Sequence, residues 1–248
     1  MLQLNEEKFT GKAEGYDLYR PSYPKELMEY LYSQEIGLCK NSVIADIGCG
    51  TGIFTKLMLQ RGSIVYGVEP NSDMKKIAEN KLSGYPSFRS VQASAEQTGL
   101  KKESIDFVTA AQAFHWFDAK KFRIECQRIL KKGGKVILVW NTIDSNHPLT
   151  QEMDAINREI CPNYQGFHNG IKELDFFLGA WKYKCFQNNF IVNREEFLGR
   201  CLSSSYAPRK GEAGYISFVK KNGNLFDRYH KNGVSVIPYL TKSYVGQV

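Results

Sequence analysis

The sequence predicts an α/β fold built on a doubly wound, mostly parallel sheet. Two observations carry this prediction: short apolar, β-branched segments alternate with amphipathic helical segments across residues 43–140, and the first apolar segment ends in a run of glycines. Alternating strands and helices imply a parallel sheet that is covered by helices on both faces, and the strands of such a sheet are apolar along their whole length. The predicted strands are Ser42–Ile47, Ser63–Glu69, Phe88–Ala93, Ser104–Ala110 and Lys135–Trp140.

The helices of this region are predicted from the spacing of apolar residues and from the signals at their ends. The first follows Pro24, whose missing N–H is tolerated in a first turn. The third should be capped by Asn71 or Ser72, and the fourth should stop at Gly133 and Gly134. The predicted helices are Lys25–Ile36, Ile53–Arg61, Ser72–Leu82 and Ala119–Leu130.

After Trp140 the alternation breaks, which predicts a helical insertion before the last strands. We therefore divide a single domain, 1–248, into a helical lead-in or lid at 1–42, a core at 43–140, an insertion at 141–231 and a terminal strand within 232–248. The insertion should contain a strand around Tyr183–Asn188 and helices at Arg194–Cys201 and Glu212–His230, and the terminal strand should run from Val234 to Val245.

Composition narrows the class of protein. The chain has 248 residues, 42% of them hydrophobic, and no apolar run approaches the roughly 20 residues that cross a bilayer. Six scattered cysteines form no CxxC pair, so we expect no metal site and reduced thiols. The net charge of +7 is spread over short lysine pairs, which favours a solvated surface over a nucleic-acid site. We expect a cytoplasmic protein with no membrane or nucleic-acid partner, and the sequence leaves the oligomeric state open.

The glycine run is the segment Asp46-Ile47-Gly48-Cys49-Gly50-Thr51-Gly52, placed between a predicted strand and a predicted helix. Dinucleotide-binding loops have the spacing G-x-G-x-x-G, whereas Ile53 occupies the position of their third glycine. Asp46 would repel a pyrophosphate but can accept a hydrogen bond from a ligand amine. S-adenosyl-L-methionine carries an ammonium and a sulfonium and no phosphate, so it suits this loop.

Glu69 is the second signal, because it ends the next predicted strand about 20 positions past the first glycine. A carboxylate at that strand end can accept hydrogen bonds from both hydroxyls of a ribose. The carboxyl ends of neighbouring parallel strands meet at one edge of a sheet, so Glu69 and the glycine loop should lie side by side. The alternative is a tight turn and a surface charge with no ligand.

The stretch from Phe9 to Trp140 resembles the class I S-adenosylmethionine-dependent methyltransferases, in particular the type 11 group that includes enzymes like trans-aconitate methyltransferase. The resemblance covers over half the chain, and its motifs occur in order. It implies a seven-stranded sheet with the Rossmann-like methyltransferase fold. The matching segments are Tyr16 with Tyr19–Pro24, Val43–Gly52, Gly67–Met74, Ala93–Glu96 and Ala111–Trp116.

The resemblance also implies a set of cofactor-binding residues. The loop residues Asp46, Gly48, Cys49 and Gly50 would hold the methionine part, with Gln112 beneath it. The ribose and adenine would be held by Glu69, Pro70, Met74, Ser94 and Ala95; the family often has aspartate where Ser94 stands, so its side-chain contact is in doubt. Tyr16 and Arg20 resemble residues that close over the cofactor carboxylate, or they pack and pair at the surface.

Methyl transfer is an in-line displacement for which a protein mainly positions the acceptor, and a base is needed only if the acceptor must lose a proton. His115 is the candidate catalytic base, since it follows a strand end on the ligand side. Acceptor-binding candidates are Phe114, Trp116, Asn141 and Tyr206, with His168 and Ser205 as further residues of the insertion. Each has a purely structural alternative, which for Phe114 and Trp116 is core packing.

The segment Ala111-Gln112-Ala113-Phe114 is not the Asn/Asp-Pro-Pro-Tyr tetrad of enzymes that methylate adenine or glutamine amino groups. A small organic acceptor is therefore the leading hypothesis, with its specificity in the insertion. The alternatives are an RNA or protein methyltransferase, a nicotinamide-dependent oxidoreductase, and a cofactor-binding protein without activity.

Overall fold

The computed structural model describes residues 22–167, 174–204 and 206–248. The predictions for Tyr16, Arg20, His168 and Ser205 lie outside these residues. The helices are α1 (Lys25–Leu31), α2 (Ile53–Leu59), α3 (Ser72–Leu82), α4 (Ala119–Ile129), α5 (Pro148–Ile160), α6 (Arg194–Leu202) and α7 (Tyr215–Tyr229). The strands are β1 (Val43–Ile47), β2 (Ile64–Val68), β3 (Phe88–Val91), β4 (Ile105–Ala111), β5 (Leu130–Ile143), β6 (Trp181–Gln187), β7 (Phe190–Asn193), β8 (Val234–Ile237) and β9 (Tyr239–Gly246).

Seven of these strands form one sheet in the order β3-β2-β1-β4-β5-β9-β6. Strands β1 to β5 pair in parallel, and β9 is antiparallel to both of its neighbours, β5 and β6. The predicted doubly wound, seven-stranded and mostly parallel sheet is therefore confirmed. The strand order reverses at β1 and β4, and ligands of such sheets bind beyond the carboxyl ends of the strands near that point.

Two hydrophobic clusters cover the faces of the sheet. On β5, Val136 and Leu138 belong to the cluster that includes Phe122 of α4, whereas Ile137 and Val139 belong to the cluster that includes α1 and α2. Successive side chains of a strand point to opposite faces, so a strand with a helix layer on each side must be apolar at every position. This is why residues 136–140 of β5 form a continuous apolar run.

The second half of the chain adds a smaller layer over the carboxyl edge of the sheet. We call this layer the cap; it consists of α5, α6, α7 and the antiparallel pair β7–β8. The cap has its own hydrophobic cluster, in which Leu149, Phe197, Phe218 and Leu225 are fully buried. The predicted insertion is thus not one segment, because β6 lies between α5 and the rest of the cap and belongs to the main sheet.

The predicted glycine stop of α4 and the predicted single terminal strand are wrong because of sheet pairing. Helix α4 ends at Ile129, and the chain turns extended at Leu130, which pairs with Ile105 of β4 before an irregularity in the register. Gly133 and Gly134 therefore lie within β5 and do not stop the helix. The predicted terminal strand is divided at Pro238: β8 pairs with β7, and β9 crosses to the main sheet. Helix α1 also ends at Leu31, short of the predicted Ile36.

Within residues 22–167, 174–204 and 206–248, no helix combines the length and apolar character needed to span a membrane. All six cysteines are free thiols.

Candidate functional site

A cavity of about 340 Å³ lies at the carboxyl ends of β1, β2 and β4, beneath the cap. This is the size range of small-molecule sites. Twelve residues that the sequence singled out line it: Asp46, Gly48, Cys49, Gly50, Glu69, Pro70, Met74, Ser94, Ala95, Gln112, Trp116 and Asn141. Thus the structure brings the glycine loop, the end of β2 and the segments after β3 and β4 into one site.

The glycine loop has a left-handed backbone at Gly48 and Gly50, a conformation that favours glycine. Gly48 has φ +67°, and a Cβ there would lie 2.6 Å from the Cβ of Ala113. Gly50 has φ +57°, but a Cβ there would meet no atom within 4 Å, because this glycine faces the cavity. The first glycine is required by the protein's own packing, whereas the second leaves room for a ligand to approach the backbone.

Glu69 joins two loops. Its carboxylate accepts hydrogen bonds from the backbone N–H of Gly50 (2.9 Å, to Oε2) and of Asn71 (3.0 Å, to Oε1). The glycine loop after β1 and the turn after β2 are therefore held together by one buried, cavity-lining side chain. Carboxylate oxygens accept about two hydrogen bonds each, so backbone donors and a pair of ligand hydroxyls can share them.

Helix α3 begins beside this carboxylate. Asn71 is the N-cap, and its side-chain oxygen accepts from the backbone N–H groups of Asp73 and Met74 at 3.1 and 3.0 Å. This cap fixes Pro70 and the buried Met74 at the cavity, which Ser94 and Ala95 also line. The predicted start of the helix is confirmed, with Asn71 and not Ser72 as the cap.

Asp46 lies at the base of the cavity, near the end of β1, and is only 1% exposed. The hydroxyls of Thr55 and Thr109 donate to its two carboxylate oxygens at 2.6 and 2.7 Å. Burial raises the pKa of Asp46 to about 6, although both hydroxyl hydrogen bonds act in the opposite direction. A positive ligand group nearby would favour the ionised carboxylate.

We expect Asp46 to destabilise the ligand-free protein as the pH rises through about 6. The folded carboxyl has its pKa raised from 3.8 to about 6, so its contribution to stability is fully present below about pH 4 and is lost above about pH 6. A shift of this size corresponds to roughly 3 kcal/mol. Denaturant unfolding at a series of pH values should show this loss in the wild type and not in Asp46→Asn. A difference between the two proteins that does not change with pH would contradict the assignment.

Gln112 and Asn141 connect the cavity to the last strands. Gln112 has φ +58°, and its side-chain N–H donates to the backbone oxygen of Asn141 at 2.8 Å. The side-chain oxygen of Asn141 accepts from Thr241 of β9 (2.5 Å) and from Asn188 (3.2 Å), and its amide donates to the carbonyl of Ser22 (3.3 Å). Asn141 thus ties β5, β9 and the lead-in together where it lines the cavity, and its predicted acceptor contact stays a prediction.

The aromatic segment after β4 differs from the prediction. Phe114 is 5% exposed and packs in the core against Phe117, Phe122, Trp140 and Phe176, so it does not wall the cavity. His115 is exposed and is not among the lining residues, and its role as a base has no support in this geometry. Trp116, 37% exposed, does line the cavity. A short 3₁₀ turn over Phe114–Trp116 separates these three side chains.

Tyr206 also lies outside the cavity lining. It receives a hydrogen bond from Asn157 at 3.3 Å and packs edge-on against Tyr164 within the cap.

The cavity has two lining residues from the second half of the chain that were not predicted as site residues. The cap contributes Arg200 of α6, and β9 contributes Tyr239. Other lining residues missed were Tyr23, Thr51, Ile53, Phe54, Asn71, Glu96, Ala111, Ala113 and Phe117. Several of these residues directly follow predicted strands, and this position in the sequence could have marked them as part of the site.

The strand order, the G-x-G-x-G loop and the carboxylate at the end of β2 together define the class of cofactor-binding methyltransferase domains. A family model described as a methyltransferase domain matches residues 45–138. An uncharacterized methyltransferase of Geobacillus thermodenitrificans is 31% identical over 177 residues, which are 67% of this chain and 78% of that protein. The chain belongs to the type 11 group of the class I S-adenosylmethionine-dependent methyltransferases.

Two further comparisons show how much of the chain is matched. An uncharacterized methyltransferase of Mycobacterium tuberculosis is 34% identical over 147 residues, which are 59% of this chain and 57% of that protein. The chain thus spans a little over half the length of this relative. The solved structure of a protein from Anaeromyxobacter dehalogenans that is described as a type II methyltransferase superposes with a TM-score of 0.71 at 22% identity, covering 92% of this chain and 98% of that one. This likeness concerns the fold.

Proposed function

We propose that the protein transfers the methyl group of S-adenosylmethionine to a small organic acceptor by in-line displacement. The observation that carries the proposal is the shared cavity. It is lined by the glycine loop and Glu69 and also by Trp116, Arg200 and Tyr239, which lie outside the glycine loop and the turn after β2. A donor and an acceptor would therefore be held next to each other, which is the main requirement of this reaction.

The cofactor side fits S-adenosylmethionine in charge and in shape. Glu69 offers carboxylate oxygens to a pair of ribose hydroxyls, and Gly50 leaves open space beside its backbone. Asp46 and Glu69 provide two buried carboxylates for a ligand with cationic groups, and these carboxylates would oppose a pyrophosphate. The bound cofactor supplies a methyl group already activated on a positively charged sulfur, and the residues of the chain bind it, orient it and exclude water.

The acceptor side favours a small molecule. The cap covers the carboxyl edge of the sheet, and the cavity of about 340 Å³ must hold the acceptor as well as the cofactor. Its wall is aromatic, through Trp116, Phe117 and Tyr239, and Arg200 is the one cation among the described residues that line it. Enclosed aromatic walls with a few polar groups are typical of small-molecule sites. A large RNA or protein acceptor would need an open surface at this edge.

The proposal is tested by calorimetry with S-adenosylhomocysteine, NAD and two glycine variants. We expect the wild type to bind S-adenosylhomocysteine and not NAD. Gly50→Ala should weaken that binding at least tenfold, since its methyl group would enter the ligand space. Gly133→Ala is the matched control: this glycine also has a positive φ and an open Cβ position, but it lies in β5 away from the cavity.

Heat from NAD without heat from S-adenosylhomocysteine would contradict the proposal, as would equal affinities in the two variants. A subsequent assay of S-adenosylhomocysteine release with candidate acceptors would measure the transfer itself.

A further inference from the structure

We propose that Arg200 binds an anionic group of the methyl acceptor, so that the acceptor is an organic acid, either a carboxylate or a phosphomonoester. This inference rests on the proposed function, because it concerns the acceptor side of the same cavity. It assigns a binding residue in the cap and a chemical class of substrate.

The side chain of Arg200 is held in a defined position at the cavity. It extends from the last turns of α6 to Tyr239, the first residue of β9. The Arg200 Nε donates to the Tyr239 hydroxyl at 2.7 Å, and its guanidinium carbon lies 5.7 Å from the centre of that ring. Its Nη1 donates to the hydroxyls of Ser203 and Ser204 at 3.4 and 3.3 Å. These contacts orient the guanidinium before a ligand arrives.

All of these partners are uncharged. Over the described parts of the chain, no Asp or Glu carboxylate forms an ion pair with Arg200, whereas Arg194 of the same helix pairs with Asp227 at 3.1 Å. Burial opposes the charge of Arg200, but the nearby oxygens of Tyr239 and Tyr206 leave the pKa of this guanidinium above its usual value. Arg200 therefore brings a positive charge to the cavity that the described carboxylates do not neutralise.

A half-buried cation with only neutral partners is unfavourable in the ligand-free protein, and an anionic ligand would remove that cost. The described residues give Nη2 of Arg200 no hydrogen-bond partner. A guanidinium offers parallel N–H groups that match the two oxygens of a carboxylate or a phosphate. The geometry thus suits an anion at this edge of the guanidinium.

The cofactor has a carboxylate of its own, but the topology separates it from Arg200. The glycine loop follows β1, and Tyr239 begins β9, three strands away in the order β1-β4-β5-β9. At about 4.8 Å between neighbouring strands, this is a lateral distance of roughly 14 Å. The methionine part of the cofactor is expected between the glycine loop and Gln112, which follows β4. Arg200 consequently lies on the acceptor's side of the cavity.

The binding test uses protein saturated with S-adenosylhomocysteine and three probes that each carry one phenyl ring: benzoate, phenyl phosphate and benzamide, the last being the neutral counterpart of benzoate. Ligand-observed NMR should show that benzoate or phenyl phosphate binds at least tenfold tighter than benzamide. The acid that binds tighter identifies the anionic group of the acceptor as a carboxylate or a phosphate. Arg200→Gln should abolish this preference. Arg194→Gln, on the same helix but in a surface ion pair, should retain it. Benzamide binding as tightly as the acids, no binding by either acid, or an unchanged preference in Arg200→Gln would overturn the inference.

Two controls separate this inference from its alternatives. Because Arg200 lacks a counter-charge, Arg200→Gln should leave the Tm of the ligand-free protein unchanged or higher, and added inorganic phosphate should raise the Tm of the wild type only. A lower Tm in the variant together with no phosphate effect in the wild type would mean a structural role and would overturn the inference. If Arg200→Gln lost S-adenosylhomocysteine binding while Arg194→Gln retained it, the inference would also be overturned, because Arg200 would then contact the cofactor. Failure of the wild type to bind S-adenosylhomocysteine would instead refute the proposed function.

Discussion

Replacing Glu69 with alanine should weaken the binding of S-adenosylhomocysteine roughly 100-fold. The variant would remove both proposed bonds to the ribose, and hydrogen bonds to a charged group contribute about 1.5–3 kcal/mol each. Two such bonds at the lower limit correspond to about two factors of ten in affinity. The loss would also release the N–H groups of Gly50 and Asn71, which the carboxylate now holds.

Calorimetry on two companion variants makes this prediction specific. Glu69→Gln keeps one acceptor oxygen and should give an intermediate affinity. Glu79→Ala removes a carboxylate from α3 that pairs with Lys75 at 2.7 Å outside the cavity, and it should leave the affinity unchanged. If Glu69→Ala bound S-adenosylhomocysteine as tightly as the wild type, the ribose assignment would be wrong.

Replacing Phe114 with alanine should lower the free energy of unfolding by roughly 3–5 kcal/mol, the range for removing a phenyl ring from a packed core. Four aromatic rings surround it, and the nearest centroid, that of Phe176, is 4.8 Å away. Together they join α4 to β5 beneath the cavity. Their loss would leave a void that the rigid strands cannot fill.

Trp116→Ala is the matched control for this effect, two residues further along the same segment. Trp116 is 37% exposed, so we expect a loss below about 1 kcal/mol in guanidinium unfolding. The same substitution should weaken binding of the acceptor, because Trp116 lines the cavity. If both variants lost the same free energy of unfolding, the assignment of Phe114 to the core and of Trp116 to the cavity wall would be wrong.

The cofactor half of the site was predictable because its signals are local. The residues that form it directly follow strands, and parallel strands bring their carboxyl ends to one edge. The loop glycines and Glu69 could therefore be placed together before any contact was known. Asn71 was likewise marked by its position before an amphipathic helix.

The proposed acceptor half of the site was not predictable in this way. Arg200 and Tyr239 are 39 residues apart, and they meet only because α6 packs over the start of β9. No local pattern distinguishes Arg200 from Arg194, which forms a surface ion pair. Phe114 and Trp116 share one aromatic segment, and the short turn that separates them depends on the core beneath. Gly133 and Gly134 resemble a helix stop, yet pairing of Leu130 with β4 ends the helix earlier.

The backbone N–H of Asn188 donates to the carbonyl of Tyr239 at 2.8 Å, so the residue after β6 touches the first residue of β9. Most of the cap, including Arg200, therefore leaves and rejoins the sheet at a single point. The register of β9 is set by its own pairing with β5 and β6, and loop-closure entropy changes slowly with loop length. We therefore expect changes in the length of that segment to leave the strands of the main sheet in register. Under the proposed function, the cofactor site would therefore belong to the main sheet, and the residues that select the acceptor would belong to a segment that varies separately from it.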